Sequence, residues 1–354
     1  MATSRVVGLD IGTTFIRAAE LEFGRGPRTT RQTPTLVRYG QVPLPLGAVR
    51  GGEVAESAIV SAALRDLWAR TKFSTRDVVI GVGNQRVLVR ELELPWMPAA
   101  QIRGSLAFQV QELLPMSVDE ALLDYYPTGE SQGPAGRMIT GMLVAAQRDT
   151  VTANVLAVEG AGLRPTMVDL NAFALLRAMA RGPLAEQVVA FVDIGARVSN
   201  VVVAAHGVPR FIRTLPSGGQ DATDAVASAM QISAMDAERV KRETGVGLQV
   251  APERQAAADA VATPTRALVE AIRNTFVYYQ GNHPGAGIEV VVLTGGGCHL
   301  AGLGQYLASA SRLPVTLGDP LAGVKMTKSL DRSQLAGAES LAAMPVGLAY
   351  GVAA

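Results

Sequence analysis

The stretch VVGLDIG, residues 6–12, decides the fold of this chain, because it returns as VAFVDIG at residues 189–195. Each copy is an apolar run typical of a buried β-strand, and each ends in Asp-Ile-Gly. A second strand-like run follows each copy, at residues 15–21 and 198–205. The two copies lie about half the chain apart. This spacing predicts two similar halves, each opening with a β-hairpin whose turn carries Asp and Gly.

The rest of the chain alternates strand-like and helix-like runs, which predicts an α/β fold of layered sheets and helices. Residues 95–162 are expected to form an inserted α+β subdomain, with a strand pair joined by a loop at residues 129–136. In the second half, Thr263 and Pro264 are expected to cap and open a helix. The Ala-rich run before them, residues 251–261, fits either a helix with a polar face or a mobile connection.

Composition excludes several classes of protein. With 32 basic and 31 acidic residues, the net charge is +1. The basic residues form no stripe along the sequence, so a nucleic-acid partner is not expected. The single cysteine, Cys298, rules out an intrachain disulfide framework, and because no His or Asp pattern supports a nucleophile there, it is expected to be a small buried filler. The sequence contains no run of about 18 apolar residues, so direct membrane insertion is not expected, and no secretory leader is apparent. The sequence is therefore expected to be that of a cytoplasmic protein.

The two hairpin turns are the main candidates for chemistry. Asp10 and Asp193 each end a strand and can hold Mg²⁺ through water, because this ion keeps most of its hydration shell. Glycine in the turns lets backbone N–H groups approach a phosphate closely. The predicted phosphate-binding residues of the two turns are Gly12, Thr13, Thr14, Gly195 and Ala196. One such hairpin would more often be an ordinary β-turn, but a pair in equivalent halves favours a clamp on one triphosphate.

Two further patterns are weaker by themselves. Gly295-Gly296-Gly297 follows a strand and precedes a helix, which fits either a tight turn or close approach to a purine nucleotide. Glu238 and Lys241, at i and i+3 on a helix, fit either a solvated ion pair or contacts to ribose hydroxyls. The P-loop, the dinucleotide fingerprint and the nucleophile elbow of hydrolases are all absent from the sequence.

Taken in order, these motifs resemble the actin-like ATPase superfamily. LDIGTT at residues 9–14 is similar to its first phosphate loop, VDIGA at residues 192–196 to its second, and LTGGG at residues 293–297 to its adenosine loop. Residues 216–221 and 237–241 resemble its ribose and base region. The resemblance implies ATP and Mg²⁺ as ligands, and it adds Gly218, Gly219, Glu238 and Lys241 to the binding site.

Within the superfamily the chain looks most like the PilM family of type IV pilus assembly proteins, close to FtsA. The resemblance rests on residues 92–95, 108–115, 124–126, 143–146 and 161–169, which match the small extra subdomain of that family. It implies an actin-like ATPase fold with two similar lobes around a nucleotide cleft. Residues 1–94 and 163–185 would form the first lobe, 95–162 the inserted subdomain, 186–340 the second lobe, and 341–354 a closing helix that returns to the cleft.

The resemblance also implies a partner. In this family the subdomain and the adjoining lobe hold the N-terminal cytoplasmic peptide of PilN, a membrane protein, so the chain would be recruited to the inner face of the membrane. Other proteins of the pilus platform and its motors would follow as partners, and self-association stays open. Val110, Leu113 and Leu114 are candidates to line the peptide groove, although ordinary core is the favoured interpretation.

Two departures from the family pattern bear on activity. Arg197 stands in the second phosphate loop, where the family has a small or hydroxylated residue, and it could either aid phosphate binding or obstruct the loop. Asn171 is the nearest candidate for the residue that positions the attacking water. The sequence therefore predicts ATP binding with weak or absent hydrolysis. The alternatives are a filament-forming, membrane-associated protein similar to FtsA and, less favoured, a small-molecule kinase of the same fold.

Overall fold

The structure, a computed structural model, describes residues 4–24, 33–134, 136–333 and 335–351. The strands within these ranges are β1 (Ser4–Ile11), β2 (Phe15–Phe23), β3 (Thr35–Pro43), β4 (Val49–Arg50), β5 (Glu53–Val54), β6 (Asp77–Val82), β7 (Val87–Pro95), β8 (Ala121–Gly133), β9 (Gly136–Gln147), β10 (Arg164–Leu170), β11 (Val188–Ile194), β12 (Ser199–Ala205), β13 (Val208–Leu215), β14 (Val290–Thr294), β15 (Val315–Leu317) and β16 (Lys325–Met326).

The helices are α1 (Ser57–Thr71), α2 (Ala99–Val110), α3 (Arg148–Gly160), α4 (Asn171–Met179), α5 (Gly219–Met230), α6 (Ala234–Thr244), α7 (Gln255–Asn282), α8 (Leu303–Ser311) and α9 (Ala343–Ala349). Among the helices of the described ranges, none is both long enough and apolar enough to cross a bilayer.

The two repeats form equivalent hairpins in two separate sheets, as the repeat predicts. The first sheet has the strand order β10-β6-β1-β2-β3-β16, and the second has the order β13-β12-β11-β14-β15. In each sheet the repeated strand pairs antiparallel with the next strand and parallel with a later one. This arrangement leaves the turn of each hairpin at the carboxyl end of its repeated strand, at one edge of the sheet.

Helices cover both faces of the sheets. On β1, Val7 and Leu9 face α1 and α3, while Val6 faces α4 and α9 on the opposite side. On β11, Phe191 joins that same core around α4 and α9, whereas Val192 packs with α5, α7 and α8. The two sheets therefore share a core built around α4 and α9, and that core sets where the hairpins lie relative to each other.

The C-terminal helix α9 is held against the first sheet by close backbone contacts. A Cβ added at Gly8 would lie 2.0 Å from the carbonyl oxygen of Pro345, and one at Gly347 would lie 1.9 Å from that of Ala174. All seven residues of α9 are buried. The helix is thus part of the core and presents no free amphipathic face; residues 352–354 of the expected closing segment lie outside the described residues.

The inserted subdomain begins earlier and ends earlier than the sequence predicts. Its three-stranded sheet has the order β7-β9-β8, so it already starts at Val87. The helix α3 packs on α1, with the Ser61 hydroxyl donating to the carbonyl oxygen of Ala157 at 2.7 Å, and therefore belongs with the first sheet. β8 and β9 run to Gly133 and from Gly136, so the long loop expected at residues 129–136 is mostly strand.

Two elements of the second half also differ from expectation. Pro264 lies inside α7 and does not open a new helix, because the buried face continues through Ala257, Val261, Leu268 and Ile272 and outweighs the proline's cost of about 3 kcal/mol. This continuous helix also settles the Ala-rich run as helical. β16, drawn from residues expected in the second lobe, pairs with β3 at the edge of the first sheet.

Candidate functional site

The two hairpins open onto one cleft of about 690 Å³ between the sheets. The sequence-predicted residues that line it are Asp10, Gly12, Thr13, Thr14, Asn171, Asp193, Gly195, Ala196, Gly219, Glu238, Lys241, Gly295, Gly296 and Gly297. Gly218 lines an adjoining cavity of about 450 Å³ that shares several walls with the cleft. The structure thus brings together in one place residues that are distant in the sequence.

The turns of the two hairpins have the same geometry. The Gly12 N–H donates to the carbonyl oxygen of Phe15 at 3.0 Å, and the Gly195 N–H donates to that of Val198 at 3.0 Å. A Cβ at Gly12 would lie 2.9 Å from the Phe15 oxygen, and one at Gly195 would lie 2.6 Å from the Val198 oxygen. Only glycine fits these tight turns, which leave the following backbone N–H groups at the edge of the cleft.

The two strand-ending carboxyls face the same cleft from opposite sheets. Burial raises the pKa of Asp10 to about 6, against the attraction of Arg17, and the charge of Asp193 adds to the rise. Burial also raises the pKa of Asp193, although its carboxyl accepts a hydrogen bond from the Thr294 hydroxyl at 3.0 Å. Two buried carboxyls that line one cleft favour a cation there, because a positive charge offsets the cost of ionising them away from bulk water.

Arg17 is a residue of the cleft that the sequence analysis missed. It sits on β2 directly opposite Asp10 in the hairpin register, so both side chains lie on the same face of the sheet. Its guanidinium donates to the Gln41 amide oxygen at 3.2 Å and lines both the cleft and the adjoining cavity. The hairpin register was the signal that could have found it, because a turn of known length pairs Asp10 with the residue seven positions later.

The glycine run packs the third loop against the second hairpin. Gly295 has φ +79°, and a Cβ there would lie 2.5 Å from the carbonyl oxygen of Ile194. A Cβ at Gly297 would lie 2.3 Å from the Ile194 side chain. Cys298, which follows, is buried, and burial raises the pKa of its thiol to about 11, so it is a filler and not a nucleophile.

Glu238 and Lys241 do not form the solvated pair that was one interpretation of their spacing. The Lys241 ammonium lies 2.5 Å from the Glu238 carboxylate, and it also donates to the carbonyl oxygen of Gly219 at 3.1 Å and to the Thr223 hydroxyl at 3.0 Å. Lys241 is only 8% exposed. Burial alone would raise the pKa of Glu238, but hydrogen bonds from Lys241, Thr223 and Arg242 outweigh it and hold that pKa below its ordinary value.

Arg197 neither reaches into the cleft nor obstructs it. Gly195, Ala196 and Val198 line the cleft, whereas the Arg197 guanidinium is bonded to Asp221 at 2.9 Å and to Asp224, both on α5. In this structure Arg197 therefore takes neither the phosphate-binding position nor the obstructing position that the sequence left open.

Asn171 begins α4 at the floor of the cleft. Its side chain fits against two glycines, since a Cβ at Gly81 or at Gly83 would lie within 2.0 Å or 2.8 Å of it. Its amide oxygen is buried and has no hydrogen-bond partner within the described residues. A buried amide oxygen in this state favours a donor, such as water, from the cleft itself.

The candidate groove residues are only partly at the surface. Val110 is wholly buried in the small core around α2, which corrects its assignment to an open groove, because it is the last residue of the buried helix face. Leu114 is half-buried and Leu113 is 38% exposed. A different aromatic contact connects the subdomain with α4: the ring of Tyr126 on β8 packs on that of Phe173, with centroids 4.8 Å apart and planes tilted by 36°.

Comparison with known proteins agrees with this geometry. Residues 8–351 match the family model described as type IV pilus assembly protein PilM. Among solved structures, the chain is similar to the PilM-PilN type IV pilus biogenesis complex, with 25% identity, a TM-score of 0.84, and coverage of 99% of this chain and 98% of that chain.

More distant matches share the fold alone. The ethanolamine utilization protein EutJ of Carboxydothermus hydrogenoformans matches with 15% identity and a TM-score of 0.53, covering 99% of this chain and 90% of that chain. MreB 5 of Spiroplasma citri bound to AMPPNP matches with 14% identity and a TM-score of 0.50, covering 98% and 95%. The actin-like ATPase fold predicted from the sequence is confirmed.

Proposed function

The chain belongs to the PilM family of type IV pilus assembly proteins, and from this premise we propose that it is an ATP-binding scaffold of the pilus assembly platform that holds the N-terminal peptide of a PilN-like membrane protein. The observation that carries the proposal is the meeting of two equivalent Asp-Ile-Gly hairpins and a glycine loop at one cleft, in a chain that matches the PilM-PilN complex over nearly its whole length. Its place would be the cytoplasmic face of the inner membrane, reached through the partner.

The cleft suits the phosphates of a nucleotide. The backbone N–H groups that follow Gly12 and Gly195 would hold phosphate oxygens from two sides, and the Arg17 guanidinium adds a fixed positive charge. Asp10 and Asp193 would hold Mg²⁺ through water, and the cation would favour the charged form of two carboxyls whose pKa values burial raises. The cation supplies charge neutralisation to the phosphates when bound.

The nucleoside end fits the opposite part of the site. Glu238 and Lys241, held by their bonds to each other and to α5, would accept and donate hydrogen bonds to the ribose hydroxyls. The adjoining cavity has apolar walls suited to a purine, formed in part by Leu268, Leu300 and Leu303. Gly218, Gly219 and the glycine run would allow the backbone to approach the nucleotide closely.

Hydrolysis is expected to be weak or absent. The side chain placed to orient a water is Asn171, whose amide can accept a hydrogen bond but cannot take up a proton. A scaffold that changes shape with its bound nucleotide needs no fast turnover. The proposal is therefore ATP binding that regulates a protein contact.

The peptide groove would lie between β8 and β10, which are edge strands of neighbouring sheets. Tyr126, Met167 and Val168 are 37–44% exposed there and would contact apolar side chains of an extended peptide. Tyr126 of β8 contacts Phe173 of α4, the helix that directly follows β10, so the two strands border the same region of the surface.

Helix α4 links the groove to the cleft. Asn171, its first residue, lines the cleft, while Phe173 contacts the ring of Tyr126 in the inserted subdomain. A nucleotide that orders Asn171 would therefore shift the balance of positions open to α4 and Phe173. This supports tuning of partner binding by nucleotide state.

The test is calorimetry of the full chain with ATP and Mg²⁺, and separately with a synthetic N-terminal peptide of the PilN-like protein. We expect both ligands to bind, and peptide affinity to change when ATP is present. Tyr126→Ala should weaken peptide binding about tenfold or more, as loss of a buried aromatic anchor does. Phe108→Ala, which removes an 81% exposed ring of the same subdomain, is the matched control and should bind normally. Absence of heat with either ligand in folded protein would refute the corresponding half of the proposal.

A further inference from the structure

Arg197 is held by two carboxylates on the helix that follows the second sheet's hairpins. One guanidinium nitrogen donates to the Asp221 carboxylate at 2.9 Å, and the other donates to Asp224. Both acids lie in the first two turns of α5, while Arg197 lies in the turn between β11 and β12. The side chain thus bridges the second phosphate loop and the start of α5, and it points away from the cleft.

Asp221 also orders the backbone at the start of α5. The second oxygen of Asp221 accepts hydrogen bonds from the Gly218 N–H at 3.0 Å and from the Ser217 hydroxyl at 2.8 Å. Asp221 therefore divides its two oxygens between the Arg197 guanidinium and the N-terminal turn of α5. Movement of Arg197 would disturb that turn directly.

Backbone hydrogen bonds also join the second phosphate loop to the start of α5. The Gly219 N–H donates to the carbonyl oxygen of Gly195 at 2.9 Å, and the Gln220 N–H donates to that of Ala196 at 2.8 Å. A Cβ at Gly218 would lie 2.4 Å from the Gly195 oxygen. With both carbonyls bonded to α5, the backbone of the loop at Gly195 and Ala196 is held against the start of that helix.

The junction continues to the nucleoside end of the site. The carbonyl oxygen of Gly219 accepts a hydrogen bond from the Lys241 ammonium at 3.1 Å, and Lys241 is paired with Glu238. The start of α5 is thus bonded to the phosphate loop on one side and to the ribose pair on the other. The ion pairs of Arg197 with Asp221 and Asp224 lie at one end of this series of bonds, and Glu238 lies at the other.

We propose that Arg197 is a positioning residue: its double ion pair with Asp221 and Asp224 clamps the second phosphate loop onto α5, so that the loop is ordered for the phosphates of a nucleotide before the nucleotide binds. The inference rests on the proposed nucleotide function of the cleft. It assigns Arg197 no contact with phosphate, because two carboxylates already compensate its charge.

The clamp predicts a loss of affinity that depends on the phosphates. Arg197→Ala should weaken ATP binding about tenfold, the size expected when roughly one residue of backbone must be ordered on binding. Binding of adenosine, which has no phosphate, should change little. Arg197→Lys should fall between, because one ammonium cannot bond both carboxylates as a guanidinium does.

Asp224→Ala separates the clamp from direct phosphate binding. If Arg197 acts as a clamp, loss of Asp224 should weaken ATP binding in the same direction as Arg197→Ala. If Arg197 instead acts on phosphate, freeing it from Asp224 should strengthen ATP binding, and that result would overturn the proposal. Arg70→Ala is the matched control, since it removes a 71% exposed arginine of α1, paired with Asp66 and outside the cleft, and should leave affinity unchanged.

Hydrogen exchange in the protein without nucleotide tests the clamp independently of the cleft's ligand. The Gly219 and Gln220 amides, which bond to the loop carbonyls, should exchange faster in Arg197→Ala and Asp224→Ala than in the wild type or in Arg70→Ala. Unchanged exchange would overturn the clamp. Wild-type protein that binds no ATP would instead refute the proposed function, and the exchange rates would still decide the role of Arg197.

Discussion

Replacing Asp10 by Asn should stabilise the protein without nucleotide while removing its response to Mg²⁺. The folded chain raises the pKa of Asp10 from 3.8 to about 6, because burial and the charge of Asp193 disfavour the carboxylate. At 1.36 kcal/mol per pKa unit, this shift lowers the free energy of unfolding by about 3 kcal/mol at pH 8. Since Asp10 remains partly open to the cleft, we expect the free energy of unfolding of Asp10→Asn to exceed that of the wild type by about 1–3 kcal/mol.

The sign of the pH dependence follows from the direction of the shift. A carboxyl with a higher pKa in the folded chain takes up protons on folding, so the cost of Asp10 is absent below about pH 4 and complete above about pH 7. The difference in free energy of unfolding between Asp10→Asn and the wild type should therefore be about half as large at pH 5 as at pH 8. The assay is urea unfolding in EDTA at both pH values, with the exposed Asp66→Asn as a control that should show no such gain.

The same variant should lose its calorimetric response to Mg²⁺ in the presence of ATP, because an amide is a far weaker magnesium ligand than a carboxylate. The reasoning is refuted if Asp10→Asn is no more stable than the wild type at pH 8, or if its gain is equally large at pH 5. Increased stability with intact magnesium dependence would show that the carboxyl is strained but does not help to hold the cation.

Gly8→Ala should lower the free energy of unfolding by at least about 3 kcal/mol, because its Cβ would lie 2.0 Å from the Pro345 oxygen and push α9 off the first sheet. Gly104→Ala in α2, where the added Cβ would meet no atom within 4 Å beyond its own helix, should stabilise by about 0.5–1 kcal/mol, and urea unfolding that ranks the two variants otherwise would contradict the packing of α9. Arg17→Ala should weaken ATP binding about 10- to 100-fold by removing a charge-assisted hydrogen bond to phosphate. Arg70→Ala, a 71% exposed arginine of α1, should bind ATP as the wild type does, and equal calorimetric affinities for the two variants would exclude Arg17 from the site.

Some of the site could be predicted because local sequence dictates it. The turns after Asp10 and Asp193 need glycine for a backbone contact three residues away, so the motif and its geometry lie in the same few residues. Other features depend on the surroundings. An acid and a lysine at i and i+3 occur on exposed and buried helix faces alike, so the burial of Lys241 could be known only from α5.

The errors have the same physical origin. Pro264 has the local signature of a helix start, yet the apolar face on both sides of it is buried against the second sheet and keeps α7 continuous. Val110 fits a groove or a core equally by pattern, and the packing of α2 on its small sheet decides for the core. In each case a local preference of a few kcal/mol or less was overruled by burial of a larger surface.

By itself the sequence determined the two-fold plan of the molecule, the glycine-dependent turns and the strand-ending carboxyls, because hydrogen bonds within a few residues and the alternation of apolar side chains specify them. Only the tertiary structure decided that Asp10 and Asp193 meet across one cleft, that Arg17 joins them, and that Arg197 turns away to α5. Those outcomes depend on the shared core of α4 and α9, which sets the two sheets against each other through contacts between residues far apart in the chain. Such contacts leave no periodic pattern in the sequence, since each partner is chosen by the shape and charge of a surface that forms only on folding.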